Sequence, residues 1–184
     1  MKRAILAATL GAALVFAALP AMAAPPEAKP LGKFGDWEAA WFMDNGNKVC
    51  YMAAQPSSTK SSQPMKGRDE TYIFITHWPA DNEKNAVTVS VGFPIKKGSR
   101  ATITVDGKVY NMATRGSDKA TADADEEMAW MDDQDKEDEL ASAIAKGSSL
   151  SVKTVSGRGT VITDTYSLDG SGNAYKAISE ECGY

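Results

Sequence analysis

On either side of Asn45-Gly46 the chain alternates apolar and polar positions, from Phe34 to Met52. Asn-Gly is the pair that a type I′ turn selects, because both central residues take positive φ, so this stretch predicts a β-hairpin. Strict pairing across the turn sets Phe42 opposite Val49, Trp41 opposite Cys50 and Ala39 opposite Met52. Period two then gathers Trp37, Ala39, Trp41, Cys50 and Met52 on one face, which predicts a core face with Trp41 buried beside a disulfide. Residues 72–78 are apolar or aromatic almost throughout and predict a central strand. Residues 86–93 place Val87, Val89, Val91 and Phe93 on one face and predict a strand solvated on the other. A second hairpin turns at Asp106-Gly107, where Ile103 meets Tyr110 and Ala101 meets Met112 with their apolar faces in agreement. Residues 150–155 and 160–168 form the last pair, joined at 156–159.

The period changes twice. Between 132 and 147, Asp132, Asp133 or Asp135 can cap a helix whose first turn holds Glu137, Asp138 and Glu139. Leu140 and Ile144 make its apolar pair, and Lys146-Gly147 closes it. Near the end of the chain, Ala174, Ile178 and Cys182 fall at i, i+4 and i+8 with Tyr175 beside them, the stripe of a short helix that turns Cys182 inward. Eight strands, two short peripheral helices and no βαβ alternation predict a mainly β protein, an antiparallel sandwich of about eight strands.

Residues 1–23 read differently. A basic start, an uncharged apolar run to Leu19 and Ala21-Met22-Ala23 make a secretory signal peptide, with cleavage expected between Ala23 and Ala24. The run is shorter than the roughly 20 residues of a spanning helix. An extended, proline-bearing lead-in over 24–33 and one sandwich domain over 34–184 follow. Without the signal the net charge moves from −4 to −6, because Lys2 and Arg3 are lost. That balance argues against nucleic acid, which asks for a basic stripe. Two cysteines in an exported chain most simply form one bridge, Cys50 to Cys182, a periplasmic or secreted feature.

Candidate chemistry is sparse. Ser57-x-x-Lys60 has the spacing of a serine acyl-transfer motif, but its partner motifs are missing and it sits in a long polar connection, 54–70, that reads as a loop. His77, the only histidine, shares a strand face with Ile73 and Ile75, where a packed or rim position fits better than a general base or metal ligand. Asp169, Ser171, Asn173 and Glu180 fall in an EF-hand register whose sixth position is Ala174 instead of the required glycine. No metal, cofactor or catalytic residue is assigned. The strongest compositional feature is an acidic block over 118–139, 11 acids against Lys119 and Lys136, while the rest of the mature chain is net positive. Capping uses only three or four of those acids. Asp123, Asp125, Glu126 and Glu127 are therefore the candidate interaction surface, facing a basic partner or divalent cations at a membrane surface.

Several short pieces carry a resemblance in their order and spacing: Gly35-Asp36-Trp37 leading to Cys50, Val105-Asp106-Gly107, Ala129-Trp130 before an acidic helix ending in Lys146-Gly147, Gly157-Arg158-Gly159-Thr160, Asp164-x-Tyr166-Ser167-Leu168-x-Gly170, and Cys182. Together they resemble the invasion-associated locus B family of exported alphaproteobacterial proteins over nearly all of the mature chain. The resemblance implies an immunoglobulin-like sandwich in the periplasm or cell envelope, with no family enzyme activity and no catalytic set to carry over. The reading is a non-enzymatic binding module whose partner is an envelope or host protein, with no membrane span. The alternative is a small-ligand carrier with an apolar pocket lined by Tyr72, Phe74 or Trp78. A hydrolase fits least.

Overall fold

The structure, a computed structural model, describes residues 27–116 and 124–184, with backbone alone at 124 and 125. The expected signal peptide and Asp123 lie outside the described residues, as does the side chain of Asp125. In chain order the described elements are β1 (Lys29–Phe34), β2 (Trp37–Asp44), β3 (Asn47–Ala54), β4 (Ser58–Ser61), β5 (Tyr72–Trp78), β6 (Glu83–Ser90), β7 (Ala101–Val105), β8 (Lys108–Thr114) and β9 (Met128–Trp130). Then come α1 (Gln134–Lys146), β10 (Leu150–Val155), β11 (Val161–Tyr166) and α2 (Ser171–Cys182).

Both hairpins take the expected register. Phe42 pairs with Val49, Trp41 with Cys50 and Ala39 with Met52, around Asn45 and Gly46 at φ 49° and 87°. Ile103 pairs with Tyr110 and Ala101 with Met112, around Asp106 and Gly107 at φ 46° and 84°. The Asp106 carboxylate accepts from the backbone N–H groups of Ser148 and Ser149, which fixes this turn to the start of β10 and holds the carboxyl below its ordinary pKa.

The strands form one antiparallel series in the order β1-β2-β3-β5-β6-β9-β8-β7-β10-β11-β4. Among the described residues there are eleven where alternation predicts eight. The three additions are short or peripheral: β1 within the segment expected as a lead-in, β4 within the 54–70 loop, and β9 at Met128–Trp130. Only residues 55–57 separate β3 from β4, although β4 lies at the far edge of the series. So short a link spans little more than the ~10 Å between packed sheets, which brings the two halves face to face. Their inner faces share one core, including Trp37, Met52, Ile75 and Val89 from one half and Ile103, Tyr110, Val152 and Tyr166 from the other.

The helices close one end of that core. Asp133 is the N-cap of α1 and accepts from the Lys136 N–H, while Leu140, Ala141 and Ile144 are buried beneath. Helix α2 packs across β1, β2, β3 and β5 and buries Ala174 and Ile178. Its entry needs Gly170, which stands at φ 84° with its backbone so near Phe34 that a Cβ would lie 1.9 Å from the Phe34 carbonyl oxygen. Cys182 at its end bonds Cys50, with Cα atoms 6.1 Å apart. One packing expectation is corrected. Trp37 is the fully buried indole, donating to the Ser167 carbonyl at 3.0 Å. Trp41, opposite Cys50, packs against the core with only part of its surface and stays half-buried, and what meets its ring from the outer edge is charged: the ammonium groups of Lys29 and Lys48 lie 4.5 and 4.8 Å from its centroid.

Candidate functional site

The residues that sequence reasoning weighed for chemistry occupy structural positions. Ser57 donates from both its backbone N and its Oγ to the Thr165 carbonyl, at 2.8 and 3.0 Å, so it docks an edge strand and has no base beside it. The EF-hand register does not form a loop: Ser171 opens α2 and its hydroxyl donates to the Ile144 and Leu168 carbonyls, while Glu180 lies in the last turns of the same helix.

His77 is fully buried at an irregularity between β5 and β6. Its Nδ1 accepts from the backbone N–H of Asn85 at 3.0 Å, and its Nε2 lies 3.3 Å from Ser179 Oγ. Burial, with a smaller effect of Lys84, lowers its pKa to about 4. Asn85, at φ 63°, accepts from the Tyr175 hydroxyl and donates to Asp138. Two residues on, the N–H of Val87 finds its acceptor in Glu137, which reaches down from α1 at 3.2 Å. Glu137 is 7% exposed, and burial pushes its pKa up to about 7, helped by Glu83 and Asp138 and opposed by the Val87 hydrogen bond. This polar junction supplies acceptors to a distorted strand. His77 itself presents no atom to solvent.

A different region brings the 54–70 connection and one residue of the acidic block, Glu127, together. Between the 54–70 connection and the 156–160 turn lies a cleft of about 640 Å³. Its backing is a buried ion pair. Asp164 of β11 is wholly buried on the inner face, and Arg68 meets it with both guanidinium arms, at 2.8 and 2.6 Å. Thr59 Oγ1 also donates to Asp164 at 2.6 Å, and Arg68 Nε donates to the Val91 carbonyl at 2.9 Å. The guanidinium carbon lies 5.2 Å from the centroid of the Phe93 ring. A planar fork that satisfies both carboxylate oxygens, a strand carbonyl and a ring face is a task for arginine and not for lysine. The Asp69 N–H donates to the Gly92 carbonyl, and Gly92 stands at φ 67° where a Cβ would lie 2.3 Å from the Asp69 carbonyl oxygen. The loop is thus held against the end of β6 by a contact only glycine permits.

Above this backing, Phe93, Pro94 and Ile162 give the cleft an apolar floor, while Lys66 and Arg158 stand exposed at its rim. The acidic block reaches it at one point. Glu127 lines the cleft, and burial followed by the neighbouring Asp69 raises its carboxyl pKa. Glu126 is half-buried next to it, and the carbonyls of Glu126 and Glu127 accept from Ile95 and Val91. Of the four acids expected to act together, the structure therefore describes two side chains, and only Glu127 lines this cleft. Neither Arg68 nor Asp164 was singled out from sequence as a pair. The available signal was a charged residue at an inward position between Ile162 and Tyr166.

The profile of the Invasion associated locus B (IalB) protein family matches residues 37–179. The chain belongs to this family. No curated protein sequence matches it significantly. Among solved structures, the crystal structure of invasion associated protein B from Bartonella henselae aligns with a TM-score of 0.53 at 19% identity, covering 86% of this chain and 99% of that one. At that identity the likeness concerns the fold, which in this chain is a mainly β antiparallel architecture with two helices. Among the described residues no helix is long and apolar enough to cross a membrane.

Proposed function

We propose that this IalB-family protein is an exported, non-enzymatic binding module of the cell envelope that engages a partner through the cleft between residues 63–69 and 156–160. The observation that carries the reading is the construction of that cleft. An Arg68–Asp164 pair, with Asp164 fully buried and Arg68 nearly so, is spent on holding a loop in place, while Lys66, Asp69 and Arg158 stand exposed around the cleft with Glu127 half-buried in its lining, left to meet something outside. Loops positioned by a rigid sandwich are where such proteins carry recognition. The polar groups with perturbed pKa values point the same way, since His77 has Nδ1 engaged and Nε2 beside Ser179 in a packed junction and cannot serve as a surface base.

Mixed charge at the rim makes the association salt-sensitive, weakening as ionic strength reaches physiological values and the Debye length falls to ~8 Å. The acidic block extends the surface toward a basic partner or divalent cations. Pull-down from envelope extracts tests this with three proteins: wild type, Lys66→Ala/Arg158→Ala, and the block neutralised at Asp123, Asp125, Glu126 and Glu127. The same partner should be recovered less by both variants and show a shallower salt response. Equal recovery with an unchanged salt response by the rim variant removes the cleft from the account.

A further inference from the structure

Across β8, β7, β10, β11 and β4 the register sets the outward side chains in two rows that cross the strands. One row is Val109, Thr104, Ser151, Thr165 and Ser58. The next is Asn111, Thr102, Lys153, Thr163 and Lys60. Residues between them along the strands, such as Ile103, Val152 and Asp164, are buried on the inner side. The rows lie ~7 Å apart and neighbouring strands ~4.8 Å apart, so six hydroxyls stand in a shallow lattice. No protein group bonds those hydroxyls among the described residues. No carboxylate and no aromatic ring takes an outward position on these five strands.

Charge is sorted onto the same face. Lys60 and Lys153 share a row with only β11 between them, ~10 Å apart. Lys96 is exposed beside the end of β10, where its N–H donates to the Val155 carbonyl, and Arg100 is exposed directly before β7. None of the four has an ion-pair partner among the described residues. Away from this end of the sandwich, six lysines each stand beside a carboxylate, Lys29 lies over Trp41, and Lys146 occupies the last turn of α1. A chain of net charge −4 thus gathers unpaired cations in one place, at separations near the ~8 Å Debye length, where they repel one another. The fold gains nothing from that sorting.

We propose that this face binds an acidic polysaccharide, laid across the strands with its anionic groups on the lysines and its hydroxyls on the threonine and serine rows. Unpaired cations without a single carboxylate among them call for a polyanion, and the remaining side chains select its kind. A nucleic acid strand is held by aromatic rings on which its bases stack, and the rows have none. An anionic bilayer is held by basic groups together with apolar side chains that enter its interface, and Val109 is the one large apolar group exposed on the rows. A protein partner needs a desolvated apolar centre, which is equally missing. A chain of charged sugars keeps its water, brings hydroxyls to meet hydroxyls, and repeats its negative charge along its length.

Lys60, Lys96, Arg100 and Lys153 do not line the cleft, so this inference stands apart from the partner contact proposed there. The test is isothermal titration of the folded protein with dextran sulfate and with polygalacturonate, against neutral dextran, duplex DNA and phosphatidylglycerol–phosphatidylcholine vesicles. Binding to at least one acidic polysaccharide is expected, weakening as salt rises, with none to neutral dextran and weaker binding to DNA and vesicles. Lys60→Gln/Lys96→Gln/Lys153→Gln should bind that polysaccharide roughly tenfold or more weakly and with a shallower salt dependence. Thr102→Val/Thr163→Val keeps side-chain shape while removing two hydroxyls, and should fall between that variant and the wild type. Both variants should keep the wild-type circular dichroism. If either misfolds, acetylation footprinting of the wild type decides instead: the polysaccharide should protect Lys60, Lys96 and Lys153 and leave Lys176 reactive. The triple variant leaves the cleft intact, so its pull-down from envelope extracts reports on that reading separately. Binding to neither acidic polysaccharide, binding to DNA or vesicles at least as tight, full affinity in either folded variant, or no protection of the three lysines would overturn the assignment.

Discussion

Glu137→Gln is the perturbation whose consequence follows most fully from the structure. In the folded protein the carboxyl titrates at about 7, against an ordinary value of 4.5, because it is buried beneath α1. Between those values the folded state holds a proton that the unfolded chain has released, so stability falls as pH rises from about 4.5 to 7 and then stays level. Each tenfold in proton affinity is worth about 1.4 kcal/mol, which sets an upper size of ~3 kcal/mol for the effect. His77 acts in the opposite sense. Its folded pKa of about 4 lies below the ordinary 6.5, so the unfolded chain binds the extra proton and stability is lost as pH falls from 6.5 toward 4. Over pH 4.5–6.5 the two slopes oppose each other, and the wild type should be comparatively flat there. Glutamine keeps an oxygen to accept from Val87 and removes the proton. Urea unfolding of both proteins from pH 4.5 to 8, compared as differences so that all other titrations cancel, should show near equality at the acid end and the variant more stable by up to ~3 kcal/mol at pH 8. Parallel profiles across that range would refute the claim that Glu137 is a buried, proton-holding carboxyl.

Three further outcomes follow from the packing. Trp37→Ala should cost ~3–5 kcal/mol in urea unfolding, as expected for emptying a buried aromatic site, whereas Trp41→Ala should cost clearly less because its ring is already half in solvent under two lysines. Arg68→Ala should cost ~3–5 kcal/mol by leaving Asp164 buried without its partner, while Arg68→Met/Asp164→Leu should recover much of that loss in the same assay. Non-reducing peptide mapping should recover Cys50 linked to Cys182, and reduction should lower stability by ~5 kcal/mol or less, the chain-entropy value for a loop of 132 residues.

How far the sequence disclosed this molecule depends on which physical signal each part carries. The two hairpins were legible to the residue because Asn45-Gly46 and Asp106-Gly107 fix a turn whose geometry dictates every pairing beyond it. Helix α1 was legible for a similar local reason, a cap at Asp133 and a stop at Lys146-Gly147. Strands β1, β4 and β9 were not, since Lys-Pro-Leu-Gly, Ser-Thr-Lys-Ser and Met-Ala-Trp have no alternation of their own and become strands only because a neighbour offers an edge. Burial beyond the hairpin face was partly hidden too: periodicity placed Trp41 on the core face but carried no information about two lysines arriving from β1 and β3. The site lay beyond local pattern altogether. Arg68 and Asp164 are 96 positions apart, and only the folded chain shows that the 54–70 connection and Glu127 of the acidic block border one cleft.

The cleft itself is most directly tested by site-specific photo-crosslinking in intact cells, with the photoreactive residue placed at Arg158 on the rim or at Lys153, which is exposed on the outer side of β10. The account predicts a discrete protein adduct from position 158, reduced by added salt and by Lys66→Ala, and none from position 153. Adducts of equal yield from both positions, or from 153 alone, would contradict it.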